Sequence, residues 1–382
     1  MGVALPTGAR FSLELGGALE YSSAAFSSLG ALIPSAVRDI GHAARVADRI
    51  GLALLATGML PVTPVDRIPW IPKARVEIMR NYFRELGIAG SLAESVMGLT
   101  LSIQTTLDYF SEEDLASKLS LLVLASPILA AAFVNSPFEA GAVTGVLSRR
   151  LHCWQRVDPA RCGVLPFGVR SAAPGGDLVD WALQLPMIYR VHAGRTTTVP
   201  PVAFSQILLN GFDDGSRPDL FDWECHLSQV WPHVRVRKTL ETRAFDALPW
   251  PMFSAAPAFW AGLAYDDRSL AEALELLSCV TVEHLRDLTS EVPIKGLGAT
   301  CGGRSVLHLS AELLRLAHRG LLRRVEQNIE PSWVPDLLDP LLDVVTSGVT
   351  FAERSLREWG ESVSSSPLSF VDAVTIGGAR RR

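Results

Sequence analysis

The sequence predicts an α+β fold, with a mostly antiparallel sheet in its earlier part and helices at its end. Three observations carry that expectation. Segments of strand and helix character are mixed through the first two thirds. LTLSIQTTLDYF (99–110) alternates apolar and polar residues as a half-buried strand does. Over residues 266–360 the pattern is mainly helical, in SLAEALELL, LHLSAELLRLAHRGLLRRV and VTFAERSLREW. A single catalytic unit over 1–382 is expected: a mixed core at 10–265, helices at 266–360 and a flexible tail at 361–382.

Taken in order, SLELGGALEY (12–21) sets Glu14 and Glu20 an even distance apart, on one face of an extended segment. By itself that reads as an edge strand with one face in solvent. SAVRDIGHAARVADRI (35–50) has apolar residues at helical spacing, and LALLATGML (52–60) reads as a buried strand ending at Pro61. VEIMRNYFREL (76–86) is an amphipathic helix. SEED (111–114) opens another, with Ser111 as cap and Asp114 at the capping-box position. LSLLVLASPILAAAFV (119–134) is the most membrane-like stretch. Its sixteen residues and Pro127 favour a buried core helix over a span.

The 382 residues are 48% hydrophobic, enough for a large core. With 35 basic and 40 acidic residues the net charge is −5, which leaves no electrostatic footprint for nucleic acid. The ending Arg380-Arg381-Arg382 reads as a solvated tail. Five cysteines without a CxxC pair, and a start (MGVALPTGARF) without a secretory pattern, predict a reducing, cytoplasmic setting. No membrane or nucleic-acid partner is expected.

Single motifs say little. Gly298-x-x-x-x-Gly303-Arg304-Ser305 has phosphate-loop spacing but lacks the lysine and a preceding strand, so it reads as a loop opening a helix. His152, Cys153, Cys225 and His226 are ligand types without zinc spacing, which favours core roles. No GxSxG or HExxH occurs. TLETR (239–243) puts Glu241 and Arg243 on one strand face, by default an ion pair. Arg75, Arg150 and Arg161 stand in loop-like contexts that suit anion binding without specifying it.

Read together, SLELGGALEYS, IPKARVEIMRNYF, LTLSIQTTLDYFSEEDLASKL, FVNSPFEAGAVTGVLSRRLHCW, DPARCGVLPF, VDWALQLPM, DWECHLSQVWPHVRVRKTLETR, PAFWAGLAYDD and GVTFAE form one pattern. In order, over roughly residues 10–355, it resembles the plant-type glutamate–cysteine ligase family, plant and actinobacterial. DPARCG is most similar to the actinobacterial branch, whose product enters ergothioneine synthesis. The resemblance implies a glutamine-synthetase-like antiparallel sheet whose face holds magnesium and ATP. It implies phosphorylation of the γ-carboxylate of glutamate, followed by attack of the cysteine amine on the acyl phosphate.

Carried over by position, the resemblance makes Glu14, Glu20 and Glu241 magnesium ligands. Arg243 would contact the transferred phosphoryl group, with Lys73 as a second catalytic cation. Arg75 and Arg161 would orient the glutamate α-carboxylate, with Gln104, Arg150 and Trp250 also lining the substrate pocket. Thr106, Ile188 and Thr239 replace an Asn and two Tyr of the family pattern. Those changes motivate an alternative: a related ligase with a different acceptor. The family also carries an earlier strand with two more acids, whereas about a dozen residues precede Glu14 here. A further segment or a partner chain is therefore expected to complete the site; the other alternative is a non-catalytic homologue with an incomplete metal site.

Overall fold

In the computed structural model, which describes residues 2–377, the chain opens with a three-stranded antiparallel ribbon. Its strands are β1 (Gly2–Ala4), β2 (Arg10–Leu13) and β3 (Leu19–Ser22). SLELGGALEY is thus a hairpin and not one extended segment. The Gly17 N–H donates to the Glu14 carbonyl at 2.8 Å and the Glu14 N–H to Ala18 at 2.9 Å. Gly17 takes φ +86°, a left-handed value that a side chain disfavours. A Cβ on Gly16 would stand 2.5 Å from Gly98 Cα, so the turn seats directly on the chain behind it.

Helix α1 (Leu29–Arg49) starts where Ser28 Oγ accepts the Ala31 N–H. Helices α2 (Ala74–Glu85) and α3 (Ala93–Leu99) follow, then strand β4 (Ser102–Leu107). LALLATGML forms no strand: isolated bridges join Leu55 to Thr375 and Met59 to Thr100. Only Ala56–Met59 is buried, Leu52 is exposed, and no partner strand runs beside the segment to make a ladder. Helix α4 (Glu112–Ala130) is capped by Ser111, whose Oγ accepts the Asp114 N–H. By length and composition it could cross a membrane. Here Leu119–Val134 is buried, and α4 packs on the Leu240–Asp246 strand and the Val306–Glu326 helix.

The sheet that matters for function has the order Val234–Val236, Leu240–Asp246, β4, antiparallel throughout. Glu241 lies opposite Thr106 on one side and Arg235 on the other. The register Glu241–Thr106 and Thr242–Thr105 leads Arg243 to Gln104, and a bulge between Thr242 and Phe245 then shifts the pairing. The expected alternation in β4 holds: Thr105 and Leu107 are buried, while Gln104 and Thr106 face out.

Residues 266–360 are helical as predicted, with the Val306–Glu326 helix laid against Ala255–Ala264. GLGATCGGRS is a short hairpin, Thr300–Cys301 with Arg304–Ser305, leading into that long helix. The expected flexible tail is corrected for residues 361–377. Pro367–Ala373 is a helix whose Phe370 packs with Val363 and Phe138, since the segment carries enough apolar surface to dock. The Arg380–Arg382 ending lies outside the described residues.

His226 is buried: it donates Nε2–H to the Ala182 carbonyl at 2.8 Å and stacks on Phe204 at 4.6 Å. Burial pulls its pKa down to about 4. The unfolded chain, titrating near the ordinary histidine value of 6.5, therefore takes up a proton that the folded chain refuses. Stability falls as pH drops from 6.5 towards 4, by on the order of 3 kcal/mol from this residue. Denaturant midpoints at pH 7.5 and 5.0 should show the loss, and His226→Gln should remove a clear share of it. An identical pH slope in the variant would reject the assignment.

Candidate functional site

The strand face of Glu241 and Arg243 is the centre of the site. Arg243 Nη1 donates to Glu241 Oε2 at 3.1 Å and to Gln104 Oε1 at 3.3 Å. From the next strand, Arg235 Nη2 lies 2.6 Å from the same Glu241 oxygen. One carboxylate is thus held between two guanidiniums. Burial, and then the charge of Arg243, bring the pKa of Arg235 down to about 10. Arg235 was not among the expected site residues; the alternation VRVRK, which puts it on the same face as Glu241's neighbours, was its one signal.

Glu14 and Glu20 lie near each other on the β2–β3 hairpin, and Glu20 accepts from the Ser12 hydroxyl at 3.2 Å. Glu14 keeps solvent access, yet the protein around it, and then Glu20, push its carboxyl up to about 7. Arg75 and Arg243 pull the other way, so Glu14 lies within electrostatic reach of one helix arginine and one sheet arginine. Arg75 sits in the first turn of α2 and Lys73 is its N-cap residue, with no side-chain cap bond. Both line an open cleft of about 610 Å³.

Three expected pocket residues make other contacts. Arg161 is fully buried. Its guanidinium donates to Asp158 at 2.6 Å, Tyr82 Oη at 2.9 Å, and the carbonyls of Pro186 and Gln229 at 3.0 and 3.2 Å. Four of its five N–H groups are taken and the side chain is fully buried, so its role is corrected to structural. Arg150 is also buried, donating to the Arg243 and Ala244 carbonyls and pairing with Asp246 at 3.5 Å. It braces the strand from behind, beside a space of only about 10 Å³ that Arg243 also lines. Asp246 is itself held by Asn135 N–H and the hydroxyls of Ser136 and Ser148. Trp250 stacks on Phe253 at 5.3 Å and makes no hydrogen bond with the residues above.

Whether these residues fit a divalent cation and a nucleotide follows from their chemistry. Two carboxylates on one hairpin face, with Glu14 pushed up to about 7, are a pair whose oxygens suit a hard cation. Glu241 does not join them: among the described residues no three His, Cys, Asp or Glu side chains gather as a metal site. Of the three expected acids, Glu14 and Glu20 stand together and Glu241 is held by arginines. For an anion, the fit lies in the buried Nε atoms of Arg75 and Arg235, which have no hydrogen-bond partner.

A face that joins paired acids to a row of guanidiniums defines a site for small, highly charged molecules. The family model of glutamate–cysteine ligase family 2 (GCS2) matches residues 3–367. The chloroplastic glutamate–cysteine ligase of Brassica juncea is 34% identical over 358 residues, 92% of this chain and 68% of its own length. That of Arabidopsis thaliana is 35% identical, over 92% and 67%. Among solved structures, that of the Pup ligase PafA with ADP covers 97% of this chain and 68% of its own, at 13% identity and a TM-score of 0.41, too distant a likeness to draw on. The chain belongs to glutamate–cysteine ligase family 2, a family of ligases.

Proposed function

We propose that the protein joins the γ-carboxylate of glutamate to the amine of cysteine at the expense of ATP. The observation that carries this reading is Arg243, bonded to Glu241 and Gln104 and within electrostatic reach of Glu14, in a chain of this family. In the reaction, a γ-carboxylate oxygen takes the terminal phosphoryl group of ATP and ADP leaves. The amine nitrogen then attacks the acyl carbon, phosphate departs and the nitrogen loses a proton.

Each residue has a task in that sequence. Arg243 neutralises the oxygens that gain charge during phosphoryl transfer. Glu241 and Gln104 hold its fork in place, and Arg235 keeps Glu241 compensated. Arg75 and Lys73 bind anionic ends of the substrates. Glu14 and Glu20 would hold magnesium, which would supply charge neutralisation on the phosphates. A reducing, cytoplasmic setting suits the five cysteines, all of them free thiols.

Thr106 favours a second reading, in which the acceptor is an amine other than cysteine. It lies opposite Glu241 on the open face, where the family pattern has Asn. Ile188 does not speak for that reading, since it is buried in the core. ADP release with magnesium, ATP and glutamate, with and without cysteine, tests both readings, the product being weighed by mass spectrometry. Cysteine-dependent ADP and a γ-glutamylcysteine mass are expected. Turnover with another amine but not cysteine would select the second reading, and no turnover with any acceptor would reject both.

A further inference from the structure

Opposite Lys73 and Arg75, the cleft has a second wall that nothing above uses. It is the hairpin Tyr189–His192/Arg195–Thr198, and its Arg195, Thr196 and Thr197 line the same space. Its return strand packs on α2. None of these five side chains makes a hydrogen bond or ion pair with any described residue. Three cations and two hydroxyls thus line one cleft, and none of them is paired with an acid in an ion pair or hydrogen bond.

The hairpin is built to hold that position. At its base Arg190 is buried, donating to both Asp222 oxygens at 2.8 and 3.0 Å and to Ser216 Oγ at 2.7 Å. The Arg190 guanidinium also lies 3.7 Å from the centre of the Phe212 ring. At its tip a two-residue turn, Ala193-Gly194, has φ of +48° and +75°. Both values are left-handed, the tight hairpin geometry whose twist matches the strands. A non-glycine residue in that region is uncommon. A braced base and a tight tip fix where Arg195 stands across from Lys73.

We propose that Arg195, Thr196 and Thr197 form the outer half of an anion pocket whose inner half is Lys73 and Arg75. The pocket takes an anionic end of a substrate, bound by charge-assisted hydrogen bonds from two guanidinium forks and an ammonium. Two sources share that chemistry: the phosphate tail of a nucleotide and the carboxylate of an amino acid. Which one binds rests on the ligase reading; that an anion binds does not.

The test is direct binding to the full chain, by calorimetry, with inorganic tripolyphosphate and with L-glutamate as separate probes. Arg195→Ala is exposed enough to leave folding intact, and should weaken one probe about tenfold or more. Arg195→Lys should recover part of that loss, since the charge stays and the fork goes. Arg315→Ala, an exposed cation paired with Glu312, is the control and should change neither affinity. Loss confined to tripolyphosphate assigns a phosphate, and loss confined to glutamate assigns a carboxylate. Unchanged affinity for both, or equal losses in Arg195→Ala and Arg315→Ala, overturns the proposal. If the wild-type chain turns over no substrate, the ligase reading fails, and these binding results still decide the pocket.

Discussion

In the Arg243→Ala variant, turnover falls by about 10²- to 10³-fold while the denaturant midpoint stays near that of the wild type. The activity loss follows from what the side chain touches. Arg243 is the guanidinium joined to both Glu241 and Gln104, and it also acts on the charge of Glu14. Stability survives for a separate reason. Glu241 keeps its 2.6 Å pair with Arg235, so no carboxylate is left without a partner. The Arg243 carbonyl, which accepts from Arg150, belongs to the backbone and is untouched. Arg243→Lys should recover little, because one ammonium cannot span Glu241 and Gln104 as a fork does. Steady-state kinetics with a denaturation curve on the same samples checks both halves. Turnover within tenfold of the wild type would remove Arg243 from the chemistry.

The elements legible in the sequence were those whose burial is one-sided. β4, α1, α2 and the capped start of α4 announce themselves because a half-buried element must repeat its apolar residues at its own period. SLELGGALEY was misread because its alternation continues through Gly16 and Gly17, although a Gly-Gly pair is also where a chain reverses. The correct outcome, two acids side by side, arises across the hairpin and not along it. LALLATGML is apolar enough for a strand, but composition does not say whether a partner strand will lie beside it.

The site was legible in part, and the division has a physical basis. Glu241 and Arg243 share a face because they are two residues apart on a strand, which local spacing determines. Arg235 reaches Glu241 only through strand register, and Arg195 reaches the cleft only through a hairpin packed on α2. The fates of Arg150 and Arg161 depend on burial, and an arginine looks the same in sequence whether it meets solvent, substrate or a buried acid. The partner of Arg150, Asp246, lies almost a hundred residues away.

Arg161 provides the sharpest separation of a structural role from a binding one. Arg161→Ala should cost about 3–5 kcal/mol of stability and leave the KM for glutamate unchanged in molecules that remain folded. The side chain ties four segments together: Tyr82 on α2, its own turn at Asp158, and the backbone at Pro186 and Gln229. Removing it leaves Asp158 buried, with the Tyr82 hydroxyl and the Ala160 N–H but no cation. The Tyr82 hydroxyl cannot replace that cation by giving up its proton to the network. Its pKa is pushed up to about 12, by burial before any other cause, so it stays a neutral donor at every working pH. Asp158→Asn combined with Arg161→Ala should cost less than Arg161→Ala alone, because the buried charge goes with its partner. Denaturation midpoints of the two variants, beside the KM for glutamate, give three numbers that a substrate-binding arginine would order differently. A higher KM at unchanged stability would return Arg161 to the pocket; a loss of stability relieved by the second substitution keeps it in the frame.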